Sequence, residues 1–75
     1  MKIKICKNIK KRRLELGYSA KTMVNLVNPL RVKREAKEIA VSTYYKKENG
    51  EIPIYVEELE DFATVLSTSP DFFYN

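Results

Sequence analysis

Six side chains with hydrogen-bonding or charged ends follow one another at Ser42, Thr43, Tyr44, Tyr45, Lys46 and Lys47. Together they supply two hydroxyls, two phenols and two ammonium groups on about two turns of helix. Such groups meet a phosphate or the edge of a base directly, without a catalytic partner. Glu48, Asn49 and Gly50 come next. Asn-Gly ends a helix well, because both residues tolerate the left-handed conformation that a helix C-terminus requires. The stretch reads as a DNA-recognition helix, and the remaining elements must hold it in place.

The composition narrows the alternatives. The chain has no histidine and one cysteine, Cys6. A zinc site or a Ser-His or Cys-His nucleophile pair therefore lacks its ligands or its base, and no metal or cofactor is expected. No acid–base pair stands out at a useful spacing, so an enzyme is the least favoured class. A single cysteine forms no internal disulfide. No apolar run approaches the roughly 20 residues of a membrane span, and no secretory h-region is evident. The expected setting is a reducing cytosol, close to the nucleoid, with no membrane partner. Seventy-five residues, at the small end of what one core can hold, read as one domain over residues 1–75.

The net charge of +4 conceals an asymmetry. All 14 Lys and Arg lie in residues 1–47, beside only Glu15, Glu35 and Glu38, a net of +11. Residues 48–75 hold seven acids and no base. A basic face concentrates near polyanions. The acidic half reads as a solvated helix face.

Around this stretch the pattern is helical throughout. Met1 to Lys4 alternates Lys and Ile and is compatible with a strand or a helix start. Ile5, Ile9, Arg13 and Leu16 then fall at helical spacing, and Gly17 closes a first helix over about residues 4–16. Within Lys10-Lys11-Arg12-Arg13 the side chains point in different directions, so not all can reach one duplex. Ser19 caps a second helix over about residues 20–27, with Met23, Val24, Leu26 and Val27 as its buried stripe. Asn28-Pro29 reads as a further N-cap with proline at the first helical position. From there residues 29–47 form either one long helix or two helices broken near Val41-Ser42. After Gly50, Ile52-Pro53-Ile54 is an extended connector. Val56, Leu59, Phe62, Ala63 and Leu66 mark an amphipathic helix with Glu57, Glu58, Glu60 and Asp61 outside. Ser69-Pro70-Asp71 opens a short last helix whose Phe72 and Phe73 close the core. The expected fold is all-α, a compact domain of four to six short helices.

Three pieces of this chain resemble the Cro and lambda-repressor-like helix-turn-helix (XRE) family. Residues 8–19, NIKKRRLELGYS, are similar to that family's basic first helix with its Gly, apolar residue and Ser ending. Residues 42–50, STYYKKENG, resemble the end of its recognition helix. Val56-Glu57-Glu58-Leu59 through Phe62, Ala63 and Leu66, followed by Ser69-Pro70-Asp71-Phe72-Phe73, resembles its fourth and fifth helices. The chain departs from the pattern in three ways. About nine or ten residues are inserted within Asn28–Ile39, Ala20 stands where a Gln commonly reaches the DNA backbone, and Lys47 occupies a position that is apolar and buried in the family.

The resemblance implies that Ser42, Thr43, Tyr45 and Lys46 face the major groove, with Lys46 reaching guanine O6 or N7. Tyr44 matches a buried position and belongs in the core. Arg13, Lys21 and the backbone of Asn49 and Gly50 would hold phosphates, with Arg34 and Lys37 of the inserted segment as further backbone contacts. Tyr18 is expected against Leu14 and helix two, and Cys6 in the core. The function implied is sequence-specific binding of double-stranded DNA by a small bacterial or phage regulator. A homodimer is expected, because one short helix reads few base pairs. Ile52, Ile54 and Phe73 are candidates for its seam. Two other readings stay open. One is a protein-interaction module, an antirepressor or anti-defence inhibitor, that binds its partner through residues 28–40 or the acidic face of residues 57–61. The other is a nucleic-acid binder without sequence preference.

Overall fold

The computed structural model describes residues 2–74, and side chains from Lys4 onward. It is all-α: α1 spans Lys2–Glu15, α2 Ala20–Lys33, α3 Val41–Glu48 and α4 Val56–Val65, with a 3-10 turn at Pro70–Tyr74. The N-terminal Lys–Ile alternation is therefore helical from Lys2, and Met1 lies outside the described residues.

One cluster joins all of these elements. Ile9 comes from α1, Ala20, Met23, Val24 and Val27 from α2, and Tyr44 from α3. Ile39 of the segment before α3, Leu59, Phe62 and Ala63 of α4, Leu66 just beyond it and Phe73 complete the cluster. The Tyr44 and Phe62 rings meet edge to face at 5.6 Å, and Phe72 meets Phe73 at 5.8 Å. Edge-to-face pairs bring the positive rim of one ring to the negative face of the other. Phe73 is thus a core residue and is withdrawn from any dimer seam. Leu26 is 43% exposed and Val56 70% exposed, so neither joins the stripe expected of it, and Leu14, expected against Tyr18, is exposed as well. Tyr18 packs on the core cluster instead.

The helix ends share one device. At Gly17, Glu35, Gly50 and Ser67 the backbone turns left-handed, with φ of 74°, 65°, 80° and 56°. Each turn closes with a pair of bonds, as in Tyr18 N to Arg13 O at 3.0 Å and Gly17 N to Leu14 O at 3.0 Å. This is the Schellman arrangement, which satisfies carbonyls left over at a helix C-terminus. Gly17 and Gly50 adopt it without steric cost. Glu35 and Ser67 do so against the preference of any residue that carries a Cβ.

The largest departure from expectation lies at Asn28-Pro29. No helix starts there, because α2 runs through Pro29 to Lys33. The backbone bond lost at proline would have run to Asn25, an exposed residue. Asn28 does not cap. Its amide nitrogen donates to the Ile39 carbonyl at 3.1 Å and its oxygen accepts from the Ile39 N–H at 2.8 Å. Arg31 Nε donates to the Lys37 carbonyl at 2.6 Å. These bonds fold the segment after α2 into an ordered turn that delivers the chain to α3. Residues 29–47 are accordingly two helical pieces separated by residues 34–40, and α3 starts at Val41 with Ala40 at its N-cap. The extra length inferred for Asn28–Ile39 is taken up by the end of α2 and this turn.

Replacing Glu35 with glycine removes the Cβ penalty at the α2 terminus. Glu35→Gly is expected to raise stability by about 1 kcal/mol, read as a higher midpoint in urea unfolding. An unchanged or lower midpoint would mean that the left-handed turn carries no strain.

Candidate nucleic-acid interface

An isolated eight-residue helix does not persist in water, so α3 depends on what grips its inner side. Tyr44, Lys47 and Glu48 are buried there. Glu48 receives two bonds from Arg13, Nε to Oε2 and Nη2 to Oε1, both at 2.9 Å. The Tyr44 hydroxyl also donates to Oε2. Burial and the neighbouring carboxylate push the Tyr44 phenol well above its ordinary pKa, so it stays protonated as this donor. The bond to Glu48 likewise raises the Arg13 pKa. The third Arg13 nitrogen, Nη1, donates to the Tyr18 carbonyl at 2.8 Å.

Arg13 is therefore not a phosphate contact. Its side chain is 7% exposed and its partners are inside the domain. The helical spacing already put Arg13 in line with Ile5, Ile9 and Leu16, on the face that packs. Lys47 is buried as well, in spite of its charge. Its Nζ donates to Glu58 Oε1 and to the Pro53 carbonyl, each at 2.9 Å, and lies 5.1 Å from the centre of the Tyr55 ring. A cation over an aromatic face gains from the ring quadrupole.

The acids of α4 complete the grip. Glu58 accepts from Lys47, from Arg31 Nη1 at 3.2 Å and from the backbone N–H of Tyr55 at 2.9 Å. It thus ties α3 and α2 to the first turn of α4, where an anion suits the helix dipole. Arg34 donates to Asp61 Oδ1 at 2.6 Å and to the Glu57 carbonyl at 3.4 Å. Burial raises the Asp61 pKa against the opposing pull of Arg34, and its Oδ2 has no hydrogen-bond partner. Glu58 and Asp61 are thus buried ion-pair partners, contrary to their expected place outside. The acidic face of residues 57–61 is not an intact patch. Arg34 is already neutralised and is a weak candidate for phosphate.

The outer side of α3 is different. Ser42, Tyr45 and Lys46 are exposed and Thr43 is partly so, while Asn49 and Gly50 are exposed just beyond. At 100° per residue, positions 42, 45, 46 and 49 span an arc of about 100°, and Thr43 lies about 60° beyond its edge. Three of the four expected groove-facing residues, Ser42, Tyr45 and Lys46, therefore lie on one open side together with Asn49, and residues 28–40 do not bury them. Lys21, in the first turn of α2, and Lys37, on the connecting turn, are exposed too. The arc offers hydroxyl, phenol, amide and ammonium groups, with Glu48 sequestered beneath. Sequence reasoning missed Glu58 and Lys47 as the residues that fix this helix. A charged residue adjoining an apolar stripe was the available signal at both positions.

Protein-family models, curated proteins and solved structures were compared with the chain, and none matches.

Removing Glu48 leaves the buried guanidinium of Arg13 uncompensated. Glu48→Ala is expected to cost about 3–5 kcal/mol in urea unfolding. The exposed Glu51→Ala should change stability by less than about 0.5 kcal/mol. Similar effects for the two substitutions would show that the ion pair does not hold α3.

Proposed function

We propose that the chain binds double-stranded DNA in a sequence-dependent way, as a small transcription regulator of the Cro and lambda-repressor-like kind. The observation that carries this reading is the sidedness of α3. Its inner face is fastened by the pairs of Lys47 and Glu48, and its outer arc of Ser42, Tyr45, Lys46 and Asn49 is open to solvent. A major groove admits one α-helix, and side chains at its outer face read base edges.

In this reading Lys46 donates to guanine acceptors, Ser42, Thr43 and Tyr45 make the other base-edge contacts, and Asn49 and Gly50 meet the backbone at the end of the helix. Lys21 and Lys37 supply charge to phosphates on either side. A homodimer is part of the proposal, since eight residues of helix cover few base pairs and a two-fold site doubles them. Tyr55, Val56 and Tyr74 are exposed near the half-buried Ile52 and Ile54 and give such a dimer an apolar surface to use.

The testing experiment is a titration against a randomised duplex pool, with the enriched fraction compared with scrambled DNA at two salt concentrations. Recovery of an inverted repeat is the expected result. Salt-sensitive binding with no motif would leave a general nucleic-acid binder, and absence of binding at moderate salt would favour a protein partner at residues 28–40. On the recovered site, Lys46→Ala is expected to cost about 1–3 kcal/mol, with a much smaller loss on scrambled DNA. Equal losses on both would reduce Lys46 to a phosphate contact.

A further inference from the structure

We infer that the cleft between α1 and the end of α3 is a phosphate-binding site, in which Lys7 and Lys10 join the Asn49–Gly50 turn to hold a phosphodiester of duplex DNA. The inference rests on the DNA reading of α3 and adds Lys7 and Lys10 of α1 to the backbone contact already proposed for Asn49 and Gly50. The cleft is lined by Cys6, Lys7, Lys10, Glu48, Asn49 and Gly50.

Three features give this cleft a positive character. Lys7 and Lys10 stand three residues apart on α1, a spacing that puts side chains on neighbouring positions of one face. Both are exposed, and no salt bridge among the described residues uses either one. The acid in the cleft wall, Glu48, is covered by Arg13 and Tyr44, with its side chain 1% exposed. Its charge is balanced before any ligand arrives.

The helix end itself is also quieted. A C-terminus ordinarily presents carbonyls and a partial negative charge, which would oppose an anion. Here Glu51 N donates to the Lys46 carbonyl at 2.8 Å, and Gly50 N donates to that of Lys47 at 3.1 Å. The Cys6 thiol donates to the Lys47 carbonyl as well, at 3.3 Å. What remains open is two ammonium groups beside the exposed Asn49, whose side-chain amide supplies a neutral donor. Gly50 has no side chain to crowd the rim.

The rest of the basic run of α1 does other things. Arg13 is spent on Glu48, and Arg12 donates to the Leu66 carbonyl at 2.9 Å and pairs with Glu15 at 3.5 Å. Lys11 is exposed but lies on the far side of Lys7 from Lys10 around the helix, and it does not line the cleft. Among the described basic residues of this helix, Lys7 and Lys10 are the ones that line the cleft. The cleft adjoins Asn49, the C-cap at the end of the outward face of α3, beside which the sugar–phosphate backbone would pass with that face in a groove.

The test compares the double variant Lys7→Gln/Lys10→Gln with Lys11→Gln and the unchanged chain. Affinity for the selected duplex and for scrambled duplex is measured across a salt series, and matching urea midpoints establish that the fold is intact. The double variant is expected to flatten the slope of log affinity against log salt by about 1 per lysine, because fewer counterions are released. The loss should be equal on both duplexes, so that their affinity ratio does not change, and Lys11→Gln should leave the slope near that of the unchanged chain. A slope in the double variant equal to that of Lys11→Gln overturns the cleft while leaving the DNA reading in place. So does a loss confined to the selected duplex, which would indicate base contact. An unchanged chain that binds neither duplex overturns the DNA reading itself and the cleft with it.

Discussion

Two adjacent residues of opposite charge, Lys47 and Glu48, are buried at the end of an eight-residue helix, and each is neutralised in a different direction. Glu48 pairs with Arg13 on α1, and Lys47 pairs with Glu58 on α4. An unpaired ion at either position would carry a desolvation cost large against the stability of so small a domain. Both neighbouring helices must therefore stay where their counter-charges are. The short helix takes its orientation from that requirement, and the apolar contacts of Tyr44 with Phe62 lie within it.

The charge asymmetry of the chain finds its explanation in the same network. Basic residues of the first 47 positions are joined to acids of the last 28 by Arg13–Glu48, Arg31–Glu58, Arg34–Asp61 and Lys47–Glu58. Segregation along the sequence becomes attraction between helices in the fold. Eight lysines stay exposed, Lys4, Lys7, Lys10, Lys11, Lys21, Lys33, Lys37 and Lys46, beside seven exposed acids, and none of the eight takes part in these buried pairs. The surface lysines and the stability of the core draw on different members of one set of residues.

The segment between α2 and α3 shows how a long connection can be accommodated without loosening the structure. α2 continues through Pro29, its end turns left-handed at Glu35, and Asn28 and Arg31 bond to the backbone of Ile39 and Lys37. The turn is packed against its own helix and leaves the outer arc of α3 uncovered. Its two backbone anchors come from side chains that, in the linear sequence, looked like a helix cap and a free surface charge.

The sequence by itself determined the all-α class, the stripe of Ile5, Ile9 and Leu16, the Ser19 cap, and the terminations at Gly17 and Gly50. These follow from local rules: helical periodicity, a hydroxyl that reaches the Thr22 N–H at 3.0 Å, and glycine where φ is positive. The outward set of Ser42, Tyr45 and Lys46 and the burial of Tyr44 were implied by the resemblance, and positions on one short helix fix the angles between them. Tertiary structure alone decided which charges are inside. Glu58 and Asp61 look like any solvated acids until α2 brings Arg31 and Arg34 beside them, and Arg13 looks like a phosphate ligand until Glu48 meets it 35 residues later. The energy of a charge depends on partners brought near by the fold, and no local pattern states who those partners are.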